Sequence, residues 1–371
     1  MRVGFFTETY RPIVNGVVAS IDALREGLLA HGVEVATIAP KFPHFVDDVR
    51  DVVRIPSLPL PTPTAYRLCV PYLGSEERRV LGRIDLVHAH SPFVTGWMGM
   101  RYARRNRLPL VFTYHTRLDA YAHYAPFERA ATQRAMVTLT RAFANAADAV
   151  IVPTRAMETR LRELGVSAPL AVVPSAIDVA RFAGGRRSAA LREELGAPAG
   201  VPLVLVVSRL AVEKNVELAL EAVALVPELR LAVVGDGPHA GALAEHARRL
   251  RVEGRVRFTG ALPRERLPDV YASADAFAFP STTETQGLVL AEALAAGLPV
   301  VAADSEASRD VAGAGRVVPA EPQAVAVALE AALANGRDQS AVHLAFSRYT
   351  VEMQARRILE LYEGVLAARA A

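Results

Sequence analysis

The sequence predicts an α/β protein of two parallel-sheet domains facing a cleft, and three observations predict it. At 371 residues the chain exceeds what one ordinary core organises. Short apolar or β-branched runs alternate with helical patterns from the first residues onward, the signature of strands joined by crossover helices. That rhythm breaks once, between Pro174 and Gly200, where Gly184, Gly185, Pro198 and Gly200 bracket a charged segment, and then starts afresh.

In the first half the runs read as strands over Arg2 to Phe6, Val33 to Ala39, Asp85 to His88, Pro109 to Thr113, Ala149 to Val152 and Ala171 to Val173. In the second half they read as strands over Leu203 to Val207, Arg230 to Val234, Arg255 to Thr259, Ala276 to Phe279, Pro299 to Ala302 and Arg316 to Val318. Helices are expected over Asn215 to Val226, Leu288 to Ala296 and Gln323 to Ala334. The amphipathic stretch Thr350 to Ala368 is long enough to return across the cleft onto the first lobe. The expected division is 1–176 with the C-terminal helix from about 355 to 371, and 177–354.

Composition narrows the class. Hydrophobic residues make up 51% and charged residues 22%, which describes a folded chain. No run approaches the roughly 18 apolar residues of a membrane span, and MRVGFFTETY lacks the apolar centre of a signal peptide. A cytoplasmic location is expected, with peripheral attachment to the inner face of the plasma membrane as its extension. The single cysteine, Cys69, excludes an internal disulfide framework and a cysteine-based zinc site. Net charge is +3, and the arginines at 101, 104, 105 and 107 read as a solvated helix face, so nucleic acid is not an expected partner. The oligomeric state is left open.

The second half carries the sharpest chemical pattern. Ser281-Thr282-Thr283-Glu284-Thr285-Gln286-Gly287 follows one strand and precedes a helix, the place where open α/β sheets bind ligands. Gly287 permits close approach, and the N–H groups of Leu288 and Val289 at the helix start would favour an anion such as a diphosphate. Glu284 and Glu292, eight residues apart, can accept hydrogen bonds from a sugar and a ribose. Read alone, Glu284 equally fits a helix-start carboxylate and Glu292 an ordinary helix-surface residue. Arg209 and Lys214 follow another strand at a helix start, where cations are unfavourable unless an anion is bound; such cations would stabilise a leaving nucleoside diphosphate. Gly235-Asp236-Gly237-Pro238 ends a third strand without matching G-x-G-x-x-G, so a plain turn and a base-binding loop fit equally.

Together these segments resemble the family-4 retaining glycosyltransferases of the GT-B fold, which pairs two Rossmann-like domains. The resemblance implies that Arg209 and Lys214 bind the donor diphosphate, Glu284 the sugar and Glu292 the ribose. It also implies a nucleotide diphospho-sugar co-substrate (UDP-glucose, UDP-galactose or GDP-mannose), no cofactor, and α-retaining transfer. Where the family usually has Phe before the motif glycine, this chain has Gln286. That variant, with Phe6-Thr7-Glu8-Thr9-Tyr10, Asn15-Gly16-Val17-Val18, Arg54-Ile55-Pro56-Ser57 and Tyr114-His115-Thr116, is similar to bacterial diacylglycerol glycosyltransferases and their phosphatidylinositol-mannosyltransferase relatives. A lipid acceptor is therefore the expected partner. A soluble sugar or inositol-type acceptor is the nearest alternative, and a nonhydrolytic nucleotide-sugar-binding protein is the alternative of another class.

In the first half, Gly16 fits either a donor-phosphate contact or a structural turn. His115 is implied by the resemblance to lie near the reacting sugar. Tyr121, His123 and Tyr124 would line the acceptor entrance or simply pack. The segment from Tyr66 to Arg83 mixes apolar residues with Arg67, Arg78, Arg79 and Arg83 and fits either contact with anionic headgroups or an ordinary surface. No metal is expected: there is no D-x-D, and His88 and His90 are read as pointing to opposite strand faces.

Overall fold

The computed structural model describes residues 1–60, 66–118, 128–313 and 316–370. The chain divides into one unit of Met1–Ala176 with Val351–Ala371 and a second of Ile177–Thr350.

In the first unit, β1 (Arg2–Phe6), β2 (Glu34–Pro40), β3 (Val52–Ile55), β4 (Ser57–Pro59), β5 (Arg67–Cys69), β6 (Leu86–Ala89), β7 (Leu110–Thr113), β8 (Ala149–Val152) and β9 (Leu170–Val172) follow in order. Seven of them form one sheet, β3-β2-β1-β6-β7-β8-β9, parallel throughout; β4 and β5 pair as a separate antiparallel ribbon. In the second unit, β10 (Leu203–Val207), β11 (Arg230–Val234), β12 (Val256–Gly260), β13 (Ala276–Phe279), β14 (Val300–Ala303) and β15 (Val317–Val318) form a parallel sheet ordered β12-β11-β10-β13-β14-β15. Both sheets are Rossmann-like. Strand order reverses at β1/β6 in one and at β10/β13 in the other, and such switch points open a ligand crevice at the carboxyl edge.

Continuous apolar runs form these strands because helices cover both faces, so successive side chains are buried on alternate sides. In β10, Leu203, Leu205 and Val207 join one core with Phe277 and Phe279, while Val204 and Val206 join the opposite core with Leu231 and Val233. The first sheet does the same: Phe6, Val87 and Phe112 face one core, and Phe5, Leu86 and Val111 face the other. The C-terminal helix Val351–Ala370 belongs to that second core, where Ile358 and Tyr362 pack with the residues of helix Gly16–Ala30.

Two expectations need correction. Strands β3, β4 and β5 lie outside the expected set, because each is only three or four residues long and proline-flanked or only partly buried, without the apolar run that marks the central strands. His88 and His90 do not point to opposite faces. Residues two apart on a strand share a face, and their rings lie 4.2 Å apart, centroid to centroid.

Candidate active site

In the second unit, three loops leave the carboxyl ends of the adjacent strands β11, β10 and β13. Backbone hydrogen bonds lock the first two together: Leu210 N–H donates to Asp236 O at 2.9 Å and His239 N–H to Leu210 O at 3.0 Å. Gly235 makes this approach possible, since a Cβ there would fall 1.8 Å from the Ser208 carbonyl oxygen. The Gly235–Pro238 segment is thus at least a packing turn. The β10 and β13 loops are joined by the Ser281 and Thr283 hydroxyls, which donate to Glu213 O at 3.3 and 3.2 Å, and by Asn215 Nδ2, which donates to Pro280 O at 3.3 Å. Asn215 stands in the left-handed region (φ 51°), which Asn tolerates better than most residues.

This framework brings the sequence-identified charges together. Lys214 Nζ lies 2.6 Å from Glu284 Oε1, and both side chains are mostly buried. Arg209 pairs with the buried Glu213 carboxylate. Lys214 is one of only two lysines in an arginine-rich chain, Lys41 being the other. An ammonium is a compact point charge, whereas a guanidinium is a planar fork, so the two are not interchangeable here.

Beyond Glu284 the chain turns at Gly287 (φ 79°) into helix Leu288–Ala295, whose N-cap position is this glycine and so brings no side chain of its own to the first turn. A Cβ on Gly287 would meet the Phe279 ring at 2.6 Å. Leu288 and Val289 are partly exposed at this helix start, where N–H groups and the helix dipole favour an anion. Glu292, one turn deeper, is 6% exposed and accepts a 2.8 Å hydrogen bond from the Tyr271 hydroxyl. It is not an ordinary surface residue. Burial pushes its carboxyl above the usual range, opposed by that hydrogen bond and by the positive charge of Arg264. Tyr271 and Arg264 escaped sequence reasoning, since nothing local distinguishes them from ordinary helix and loop residues.

In the first unit, Gly16 opens helix Gly16–Ala30 and is exposed; Asn15 caps that helix by accepting the Val18 N–H at 2.9 Å. His115 follows β7 at the same carboxyl edge, with Nε2 3.0 Å from His90 Nδ1. Burial pulls its imidazole down to about 4. Glu8, just past β1, receives the backbone N–H of Thr95 at 2.9 Å, its hydroxyl, and that of Ser91 at 3.4 Å, so it caps helix Val94–Asn106 from a distant strand. Tyr121, His123 and Tyr124 lie outside the described residues.

The Tyr66 to Arg83 segment holds β5 and helix Ser75–Leu81. On and beside the β4–β5 ribbon, Leu58 (60%), Leu68 (48%) and Tyr72 (60%) are exposed, and Arg78, Arg79 and Arg83 follow, also exposed. Among the described residues no helix is long and apolar enough to cross a membrane, and no group of three or more His, Cys, Asp or Glu is placed to hold a metal ion.

Known proteins resemble this chain in sequence and in fold. Residues 14–181 match the family Glycosyltransferase Family 4, and residues 188–345 match Glycosyl transferases group 1. The chain is 33% identical to the alpha-monoglucosyldiacylglycerol synthase of Streptococcus pneumoniae, across 81% of this chain and 71% of that protein. It is 34% identical to the GDP-mannose-dependent alpha-mannosyltransferase of Mycobacterium tuberculosis, across 84% and 81%. Among solved structures it superimposes on the sucrose-phosphate synthase of Thermosynechococcus elongatus with a TM-score of 0.78, at 22% identity and 99% coverage of both chains. With two Rossmann-like units and this kinship, the chain belongs to the family-4 glycosyltransferases of the GT-B fold and is a hexosyltransferase.

Proposed function

We propose that the protein transfers a hexose from a nucleotide diphospho-sugar to the hydroxyl of a lipid of the diacylglycerol class, forming an α-glycosidic bond. The observation that carries the donor half is the Lys214–Glu284 pair beside the glycine-led helix start at Leu288. It sets a cation for phosphate next to a carboxylate for sugar hydroxyls.

In this reading the diphosphate lies against Arg209, Lys214 and the N–H groups of Leu288 and Val289. Glu284 orients the sugar and Glu292 holds the ribose. The bond from the anomeric carbon to the β-phosphate oxygen breaks, and negative charge gathers on the departing diphosphate, where the cations and helix start stabilise it. The acceptor hydroxyl attacks the oxocarbenium-like carbon from the same face, and its proton passes to the departing phosphate oxygen. Configuration is retained without a carboxylate nucleophile, unlike a retaining glycosidase, whose two carboxyl groups flank the bond. No step calls for a metal or cofactor.

The lipid acceptor is supported by the similarity to the diacylglycerol enzyme and by the exposed apolar ribbon followed by Arg78, Arg79 and Arg83, a combination suited to an anionic bilayer surface. We assign the acceptor to the first unit, with Gly16 and His115, and the donor to the second. The similarity to a GDP-mannose-dependent enzyme favours a second reading for the donor alone. A screen of UDP-glucose, UDP-galactose and GDP-mannose against dioleoylglycerol, phosphatidylinositol and free sugars, with products identified by mass spectrometry, tests both halves. An α-hexosyl lipid supports the proposal; product from soluble acceptors alone overturns it.

A further inference from the structure

Strands β6 and β7 end on a stack of three imidazoles for which the donor chemistry has no use. His88 lies within β6, fully buried, with Nδ1 2.6 Å from the Tyr362 hydroxyl and Nε2 2.6 Å from Thr113 Oγ1. Both its nitrogens are engaged. The His90 ring sits 4.2 Å from it and 4.6 Å from the Phe5 ring. His90 is 4% exposed; its Nδ1 lies 3.0 Å from His115 Nε2, and its Nε2 is buried without a hydrogen-bond partner among the described residues. Burial, with repulsion from His115 on His88 and from His88 and His115 on His90, holds both well below the ordinary histidine range, and burial lowers His115, so all three are neutral near pH 7.

A hydrogen bond between two neutral imidazoles needs one N–H and one lone pair. If His115 donated from Nε2, the single proton of His90 would sit on Nε2 as a buried N–H with no acceptor. If His90 donates from Nδ1, only a lone pair is left over there. Orphaned buried N–H groups are the rarer case and carry the full desolvation cost of a donor. We infer that His90 Nδ1–H donates to His115 Nε2 and thereby commits His115 to the tautomer protonated at Nδ1.

His90 is then a positioning residue, held in place by a His88 that Tyr362 and Thr113 fix in turn. With its Nε2 lone pair used by His90 and its own proton on Nδ1, neutral His115 has no lone pair left to act as a base. It is not the base that takes the acceptor proton, which leaves the departing phosphate to do so. The tautomer follows from the geometry of the histidines, and its role in transfer rests on the placement of His115 near the reacting sugar proposed above.

Long-range ¹H–¹⁵N correlation spectra of the full protein labelled at histidine, with His115 identified by its loss in His115→Gln, read the tautomer directly. Protonated Nδ1 is expected; protonated Nε2 in an otherwise active enzyme overturns the inference alone. The kinetic arm compares His90→Leu with His90→Asn, whose amide offers an N–H near the place of Nδ1–H, in transfer from radiolabelled UDP-glucose or GDP-mannose to dioleoylglycerol in mixed micelles. His90→Leu should lower kcat roughly tenfold or more with donor KM little changed, and His90→Asn should restore most of it. Equal losses in two folded variants overturn the positioning role. If His90→Leu does not fold, the spectrum of the unaltered protein still decides. A correct tautomer in a protein that transfers no hexose to a lipid would sink the lipid-acceptor proposal and leave the histidine inference standing.

Discussion

Lys214 Nζ and Glu284 Oε1 lie 2.6 Å apart although 70 residues separate them in sequence, because β10 and β13 are neighbours and deliver their loops to one edge. The pair joins the proposed phosphate and sugar subsites. Lys214→Ala should lower kcat/KM by about a hundredfold or more, as loss of a preorganised charge donor does. Lys214→Arg should recover only part of it, since the fork cannot take the place of a point charge. Initial rates at saturating acceptor, beside a thermal melt to establish folding, decide this; an Arg variant with native rates would refute the geometric requirement.

Tyr271 supports Glu292. Removing its hydroxyl in Tyr271→Phe strips a hydrogen bond from a buried carboxylate, which should weaken donor binding by roughly tenfold. The bond lowers the carboxyl, opposing burial. Its loss should therefore raise that group further and move the acid limb of the pH–rate profile upward. Unchanged donor KM and an unmoved acid limb would remove Tyr271 from the site.

The histidine stack ties stability to pH. His115 titrates near 4 in the folded protein, against about 6.5 in an unfolded chain. Protonation thus favours unfolding: its contribution is complete above about pH 6.5 and is lost as pH falls toward 4, by at most about 3 kcal/mol. His88 and His90 act in the same direction, whereas Glu8 and Glu292, pushed up by burial, gain stability as pH falls. Denaturant midpoints from pH 7.5 to 4.5 should show a shallower dependence in His115→Gln than in the wild type. Equal slopes would contradict the assignment.

Transfer should resist chelation, because the proposed charge stabilisation comes from Arg209, Lys214 and a helix start. Activity lost after exhaustive EDTA treatment and restored by Mg²⁺ or Mn²⁺ would contradict this.

Replacing Arg78, Arg79 and Arg83 with Glu should reduce sedimentation with anionic vesicles and lower transfer to dioleoylglycerol, while leaving binding to neutral vesicles less affected. Replacing Leu58 and Leu68 with Ser should weaken both. Unaltered vesicle binding in both variants would discard the membrane-facing role of the ribbon.

Most of the fold was legible in the sequence for one reason. Central strands of a parallel sheet are buried on both faces, so Leu203 to Val207 and Ala276 to Phe279 read as apolar runs without reference to their neighbours. Short edge and ribbon strands such as β3 and β5 bury less and leave no such run. The loops of the candidate site were legible because turn glycines and charges cluster after those strands.

The sequence by itself determined the alternation of elements, the site's residue types and the family resemblance, all of which rest on local pattern. Only the tertiary structure decided which side chains meet: Lys214 with Glu284, Tyr271 with Glu292, His90 with His115. Those partners lie 70, 21 and 25 residues apart, and strand order together with helix packing, not local propensity, brings them within hydrogen-bond reach.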